Sequence, residues 1–146
     1  MISQAEKQVG HYRTVLVGDL NMNPFEDGVV GANGLHAVMS RRIAERQKRT
    51  VQNREYQFFY NPMWNFFGDE TSGPPGTYYY SNSEYVVYFW NMFDQVLIRP
   101  QLLDRFKSTD LKIVHCIDTI SLLSSSGIPD KYSKSDHLPI VFILNL

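Results

Sequence analysis

At 146 residues the chain fits one domain of ordinary size, long enough to bury a core. Hydrophobic residues make up 43% and charged residues 20%, which excludes a disordered tail. A net charge of −1 offers no global positive field to nucleic acid, although a local basic strip can still serve a nuclease. The single cysteine, Cys116, excludes an internal disulfide and fits a reducing compartment, so a cytoplasmic location is expected. No apolar run approaches the roughly 20 residues of a membrane span. The opening Met1-Ile2-Ser3-Gln4 lacks the apolar region of a signal peptide. Aromatic content is high at 14%, which suggests wide sheets, an aromatic-lined cleft or a covered surface.

The first regular element is the β-branched run Thr14 to Val17, which stops at Gly18 and reads as a buried strand. Asn23-Pro24 and Asp27-Gly28 then signal a loop. Leu35, Val38, Met39 and Ile43 share a helical face, predicting a helix from Leu35 to Gln47 capped by Asn33. Tyr56 to Tyr60 reads as a strand ended by Asn61-Pro62, and Gly68 to Gly76 as a loop that cannot continue regular structure. Strands are further expected over Tyr78 to Tyr80, Asp94 to Ile98, Leu111 to Ile117 and Ile140 to Leu144. Leu102 to Phe106 reads as a helical turn and Ser124 to Lys134 as a polar loop. This order lacks regular βα alternation, so an α+β layered fold with a mixed or antiparallel sheet and one main helix is favoured.

Polar residues with chemical potential stand at strand ends. Asp19 and Asn21 are separated by one residue, so in an extended segment both project to one side. A carboxylate that takes a proton beside an amide that donates suits phosphate chemistry. The same pair also fits an Asx-rich loop that satisfies its own backbone. Asp94 opens a strand directly after the aromatic run Tyr88 to Phe93, where a buried carboxylate needs a partner. Asp136 and His137 are adjacent and point in opposite directions in extended backbone, so each can serve a different partner.

Taken together, Gly18-Asp19-Leu20-Asn21, Phe93-Asp94-Gln95-Val96 and Ser135-Asp136-His137-Leu138-Pro139 occur in order at strand boundaries. This conjunction resembles the endonuclease/exonuclease/phosphatase (DNase I-like) superfamily over about Thr14 to Leu144. The resemblance implies metal-dependent hydrolysis of a phosphodiester or phosphomonoester bond. Asp19 would orient or deprotonate the attacking water, and Asn21 would position that water or a phosphate oxygen. Asp94 would pair with His137 and favour the ring form that stabilises charge on phosphorus. Asp136 would serve the metal or its water shell, and hard oxygen ligands suit Mg²⁺ or Mn²⁺.

The family's domain is a four-layer α/β sandwich whose N-terminal half supplies a strand-end Asn and a metal-binding Glu in a Gln-Glu motif. This chain contains no Gln-Glu dipeptide. Residues 1–146 are therefore expected to be the C-terminal half of such a domain, inactive in isolation, with a bare sheet face. The expected partners are a phosphate-ester substrate and either the missing N-terminal half or a second copy. The alternative is a non-catalytic binding module that keeps the second half of the fold. Two further segments invite a role. Arg41 to Arg49 is basic, and reads as a solvated helix face or a phosphate contact. Tyr60 to Phe67 is aromatic, and reads as packing or as a surface for single-stranded nucleic acid or lipid.

Overall fold

The computed structural model describes residues 2–146. Helix α1 (Ile2–Val9) leads into β1 (Val15–Asp19), followed by a short α2 (Asp27–Val30), β2 (Ala37–Val38) and α3 (Arg41–Ala44). A hairpin of β3 (Lys48–Val51) and β4 (Arg54–Gln57) precedes β5 (Phe59–Tyr60) and a 3-10 helix over Pro62–Phe66. A second hairpin, β6 (Tyr78–Tyr80) with β7 (Phe89–Asn91), runs directly into β8 (Asp94–Ile98). Further 3-10 helices cover Pro100–Arg105 and Ser108–Asp110. The chain closes with β9 (Lys112–Ile113), β10 (Cys116–Ile117), β11 (Ile120–Ser121) and β12 (Ile140–Val141).

The central sheet has the order β1-β8-β5-β2. β1 and β8 are antiparallel, as are β5 and β8, whereas β2 lies parallel to β5. The fold is thus α+β with a mixed sheet. Gln95, Val96, Leu97 and Ile98 of β8 are fully buried. Val96 and Ile98 pack with Met63, Met92, Phe106 and Leu138, while Leu97 packs with Val29, Ala37 and Phe59 in a second cluster. Each such side chain contributes about 1.5–3 kcal/mol by leaving water. The central strand is therefore covered on both faces, and the bare sheet face expected from the sequence is not found there. The sheet's edges are β1 and β2; among the described residues β1 pairs with β8 alone, and Val17 on it is half exposed.

The helix expected over Leu35 to Gln47 is not formed. His36 adopts a left-handed φ of 56° and Gln47 one of 69°, so the backbone turns at both ends of the segment. Between them the chain spends its hydrogen bonds on β5, with Phe59 N–H donating to His36 O and Asn61 N–H to Val38 O. Only Arg41–Ala44 is helical, capped by Ser40 rather than Asn33. Met39 and Ile43, two residues of the expected helical face, are exposed. The longest helix is instead the polar-looking α1 (8 residues).

Other strands hold with altered limits. Tyr56 to Tyr60 is split between β4 and β5, and Leu111 to Ile117 between β9 and the β10–β11 hairpin. Beyond β12, Leu144 makes an isolated bridge to Phe106. The expected loops over Gly68 to Gly76 and Ser124 to Lys134 carry no helix or strand. Among the described residues no helix is long and apolar enough to cross a membrane.

α1 is held by charge. Glu6 and Arg99 have side chains 3% and 4% exposed and form a bidentate pair at 2.7 and 3.0 Å. The remaining Arg99 nitrogen donates to the Gln57 and Phe58 carbonyls, and the guanidinium lies 3.8 Å over the Phe59 ring. Nearby, buried His36 contacts Gln57 O through Nδ1 and accepts from Arg49 Nε through Nε2 at 2.8 Å. That acceptance requires the neutral ring with its proton on Nδ1.

Candidate active site

Antiparallel register places Asp19 directly opposite Asp94. Gly18 reaches that position with a φ of 150°, a conformation that side-chain-bearing residues rarely adopt, in otherwise open space. Beyond Asp19 the strand stops. Asn21 turns to a φ of 49°, and its backbone N–H and side-chain Nδ2 donate to the two Asp19 carboxylate oxygens at 2.8 and 3.3 Å. Asp19 and Asn21 are thus brought together by an Asx-type turn rather than by extended backbone. The carboxylate is held in place, while one Asn21 amide hydrogen and its Oδ1 remain free.

Asp94 finds its partner across 43 residues of chain: His137 Nδ1 lies 2.7 Å from Asp94 Oδ2. The carboxylate accepts from Nδ1–H, which directs the other nitrogen, Nε2, outward. Among the described residues no protein group hydrogen-bonds Nε2. The two side chains are 20% and 27% exposed, so the pair is sheltered but reachable from solvent.

Thr77 organises this arrangement. Its hydroxyl accepts from Asp94 N at 3.0 Å and its carbonyl from Leu138 N at 2.7 Å, tying the start of β8 to the residue after His137. Its own N–H donates to Asn91 O. Gly76 permits this closeness, because a Cβ there would meet Asn91 O at 2.7 Å. Ser135 Oγ accepts from His137 N, which turns the chain between the serine and the histidine.

Behind the carboxylates lies a buried amide network. Asn23 donates to Asn91 Oδ1 at 2.9 Å and accepts from Met92 N at 2.8 Å. Gln95 donates to Met22 O and accepts from Asn61 Nδ2, whose own Oδ1 accepts from Met63 N. Asn23, Asn61 and Gln95 are at most 1% exposed. The loop after Asp19 is therefore bolted to the residues around Asp94 by groups that only work as a set. In the sequence Asn23 and Asn61 read only as turn signals and Gln95 only as part of a strand, so the network itself was not foreseen. The available signal was an Asn beside two of the three motifs, in Met22-Asn23-Pro24 and Trp90-Asn91-Met92.

Among the described residues Asp136 takes no part in these hydrogen bonds. It is exposed and lines a cleft of ≈ 400 Å³ that also contains Tyr79, Asp130 and Lys131. Within that cleft a hydrogen bond from Lys134 holds the Asp130 carboxyl below the usual carboxylate range. Among the described residues no three His, Cys, Asp or Glu side chains converge in a way that could hold a metal ion. Asp136 thus brings one carboxylate to the cleft beside Asp130, and among the described residues no third metal-ligating side chain joins them.

The flanking segments sort differently from expectation. Tyr60 to Met63 of the aromatic stretch is buried, so this part is packing rather than a stacking surface. In the basic segment, Arg41 donates to the Leu103 and Phe106 carbonyls, while Arg42 and Arg46 are exposed. Exposed aromatic residues gather instead on the β6–β7 hairpin, at Tyr80, Tyr85, Tyr88 and Phe89.

No protein-family model matches the chain, and no curated protein or solved structure does either.

Proposed function

We propose that the chain carries the C-terminal half of an endonuclease/exonuclease/phosphatase (DNase I-like) domain and contributes half of a site that hydrolyses phosphoric esters. The observation that carries this reading is the His137–Asp94 hydrogen bond formed opposite Asp19. Asp94 holds the imidazole by Nδ1, so Nε2 is the nitrogen aimed at the phosphoryl oxygens. When that ring is protonated, Nε2–H donates to the oxygen on which charge develops. Asp19 takes or orients the proton of the attacking water, and Asn21 holds Asp19 while offering its free amide hydrogen to water or phosphate.

The metal is a separate matter. The chain supplies too few converging ligands, so a divalent ion would draw its remaining ligands from outside these residues, and no step here runs through it. The open edge of β1 is where we place the rest of the domain, or a second copy of the chain.

The test is complementation. The chain is mixed with an N-terminal half that bears the strand-end Asn and the Gln-Glu motif. Hydrolysis of bis(p-nitrophenyl) phosphate is then followed with Mg²⁺ present. We expect turnover that falls by about 10²–10⁴-fold in His137→Ala, the range of a lost general acid–base or charge-stabilising group. Turnover unchanged by that substitution would remove His137 from the chemistry. Absence of turnover in every combination would favour the non-catalytic module.

A further inference from the structure

Next to the Asp94–His137 pair, the β6–β7 hairpin and the residue before β8 carry a row of aromatic rings. Phe93 and Tyr78 stack with centroids 5.4 Å apart and planes 21° apart, and Tyr78 and Tyr80 follow at 6.5 Å and 14°. The His137 imidazole lies 4.7 Å from Tyr78, so the middle ring of the row touches the Asp94–His137 pair. A slot of ≈ 270 Å³ opens along the row, with Val86, Tyr88 and Glu84 on its other wall.

The slot has the marks of a surface kept for a ligand rather than for packing. Tyr80 and Tyr88, which line it, are about half exposed (49% and 56%) although each is large and largely apolar. Tyr88 is braced edge-on by Phe25 at 5.2 Å, which connects the slot to the loop that follows Asp19.

We propose that this slot binds a planar, N–H-bearing ring attached to the scissile phosphate, so that the substrate class is a nucleoside phosphate, free or at the end of a single strand. The inference rests on the phosphoric-ester reading above and names its substrate. Nearly parallel ring faces receive another flat ring by stacking, which works for any base. Glu84, exposed and lining the slot, can accept from the ring or exocyclic N–H donors of a base. The segment from Thr77 to Ile98 also holds no Lys or Arg, unlike segments that settle on anionic membrane surfaces. The chain's net charge of −1 disfavours a duplex as the occupant.

Calorimetric titration of the whole chain with adenosine 5′-monophosphate, ribose 5-phosphate and a short oligoadenylate tests this directly. Adenosine 5′-monophosphate should bind about tenfold more tightly than ribose 5-phosphate, within the range that base stacking supplies. That preference should vanish in Tyr80→Ala and in Tyr88→Ala and return in Tyr80→Phe, with unfolding midpoints matched to the parent. A stronger signal from the oligoadenylate places the base at a strand end, and a weaker one places it on a free nucleotide. Equal binding of the two small phosphates, or a preference untouched by both alanine variants, overturns the proposal. So does binding to phosphatidylcholine vesicles that is lost in Tyr85→Ser, if no base preference accompanies it.

The hydrolysis reading fails separately. Base preference in a protein that never turns over a phosphodiester supports the slot alone, whereas turnover without base preference removes the slot alone.

Discussion

The two ends of the β1–β8 pair both carry charged partners, and they use them in opposite ways. At the Arg99 end, every polar atom of the guanidinium and of Glu6 is matched, and both side chains are nearly inaccessible. At the Asp94 end, the carboxylate and imidazole are matched on one side only, leaving His137 Nε2 free and the pair partly open. A closed charge pair orders a helix and a strand terminus. An open one keeps a proton-handling atom available. Desolvation makes the first expensive to break, while solvent access makes the second cheap to break and therefore free to serve chemistry.

The largest stability effect should come from opening the closed end. Glu6→Ala leaves Arg99 buried without its counter-charge, and we expect a loss of about 3–5 kcal/mol in urea unfolding. His137→Ala at the open end should cost less than about 1 kcal/mol in the same experiment. Equal losses at the two ends would erase the contrast.

Next in size is the network that joins the loop after Asp19 to β8. Gln95→Ala strands the Asn61 amide and the Met22 carbonyl in the core, with an expected cost of about 2–3 kcal/mol. Because Met22 follows Asn21, the same substitution should loosen the Asp19–Asn21 turn. Faster amide exchange at Asn21 and Asn23, ahead of global unfolding, would report it. Unaltered exchange there would mean that the site is held by β-pairing alone.

The smallest effect is a pH dependence at the closed end. Burial lowers the His36 pKa from 6.5, and the Arg49 charge adds to this against the opposing hydrogen bond that His36 donates to Gln57 O. The native state therefore favours the neutral ring, and the unfolded chain takes up a proton first as pH falls. The stability His36 contributes is complete above about pH 6.5 and declines as pH drops from there toward the folded-state value. The slope is at most about 1.4 kcal/mol per pH unit. Urea midpoints measured between pH 7.5 and 5 should fall less steeply in His36→Gln than in the parent. Parallel curves would contradict the assignment.

The contrast between the ends was only partly legible in the sequence. Asp19, Asp94 and His137 announced themselves because each stands at the limit of a short apolar run, where a polar residue is conspicuous. The closed end did not. Glu6 sits in a polar stretch that gives no hint of burial, and its partner is 93 residues away. Asn23, Asn61 and Gln95 look like loop or strand-end amides for the same reason: burial of an amide depends on a donor or acceptor that local pattern does not reveal. The helix expected over Leu35 to Gln47 failed on a related point. Spacing of Leu35, Val38, Met39 and Ile43 fits a helical face, yet pairing with β5 satisfies the same backbone groups and left-handed turns at His36 and Gln47 frame it. Asp136, expected at a metal, lines a cleft in which, among the described residues, no three metal-ligating side chains converge.

The most direct test of the central claim is a double-mutant cycle on Asp94 and His137, read as the rate of bis(p-nitrophenyl) phosphate hydrolysis in the complemented protein. If the two act as one unit, Asp94→Asn and His137→Ala each lower the rate by about 10²-fold or more, and the double variant is no slower than the worse single one. Rates that multiply independently, or an Asp94→Asn variant as fast as the parent, would contradict the account.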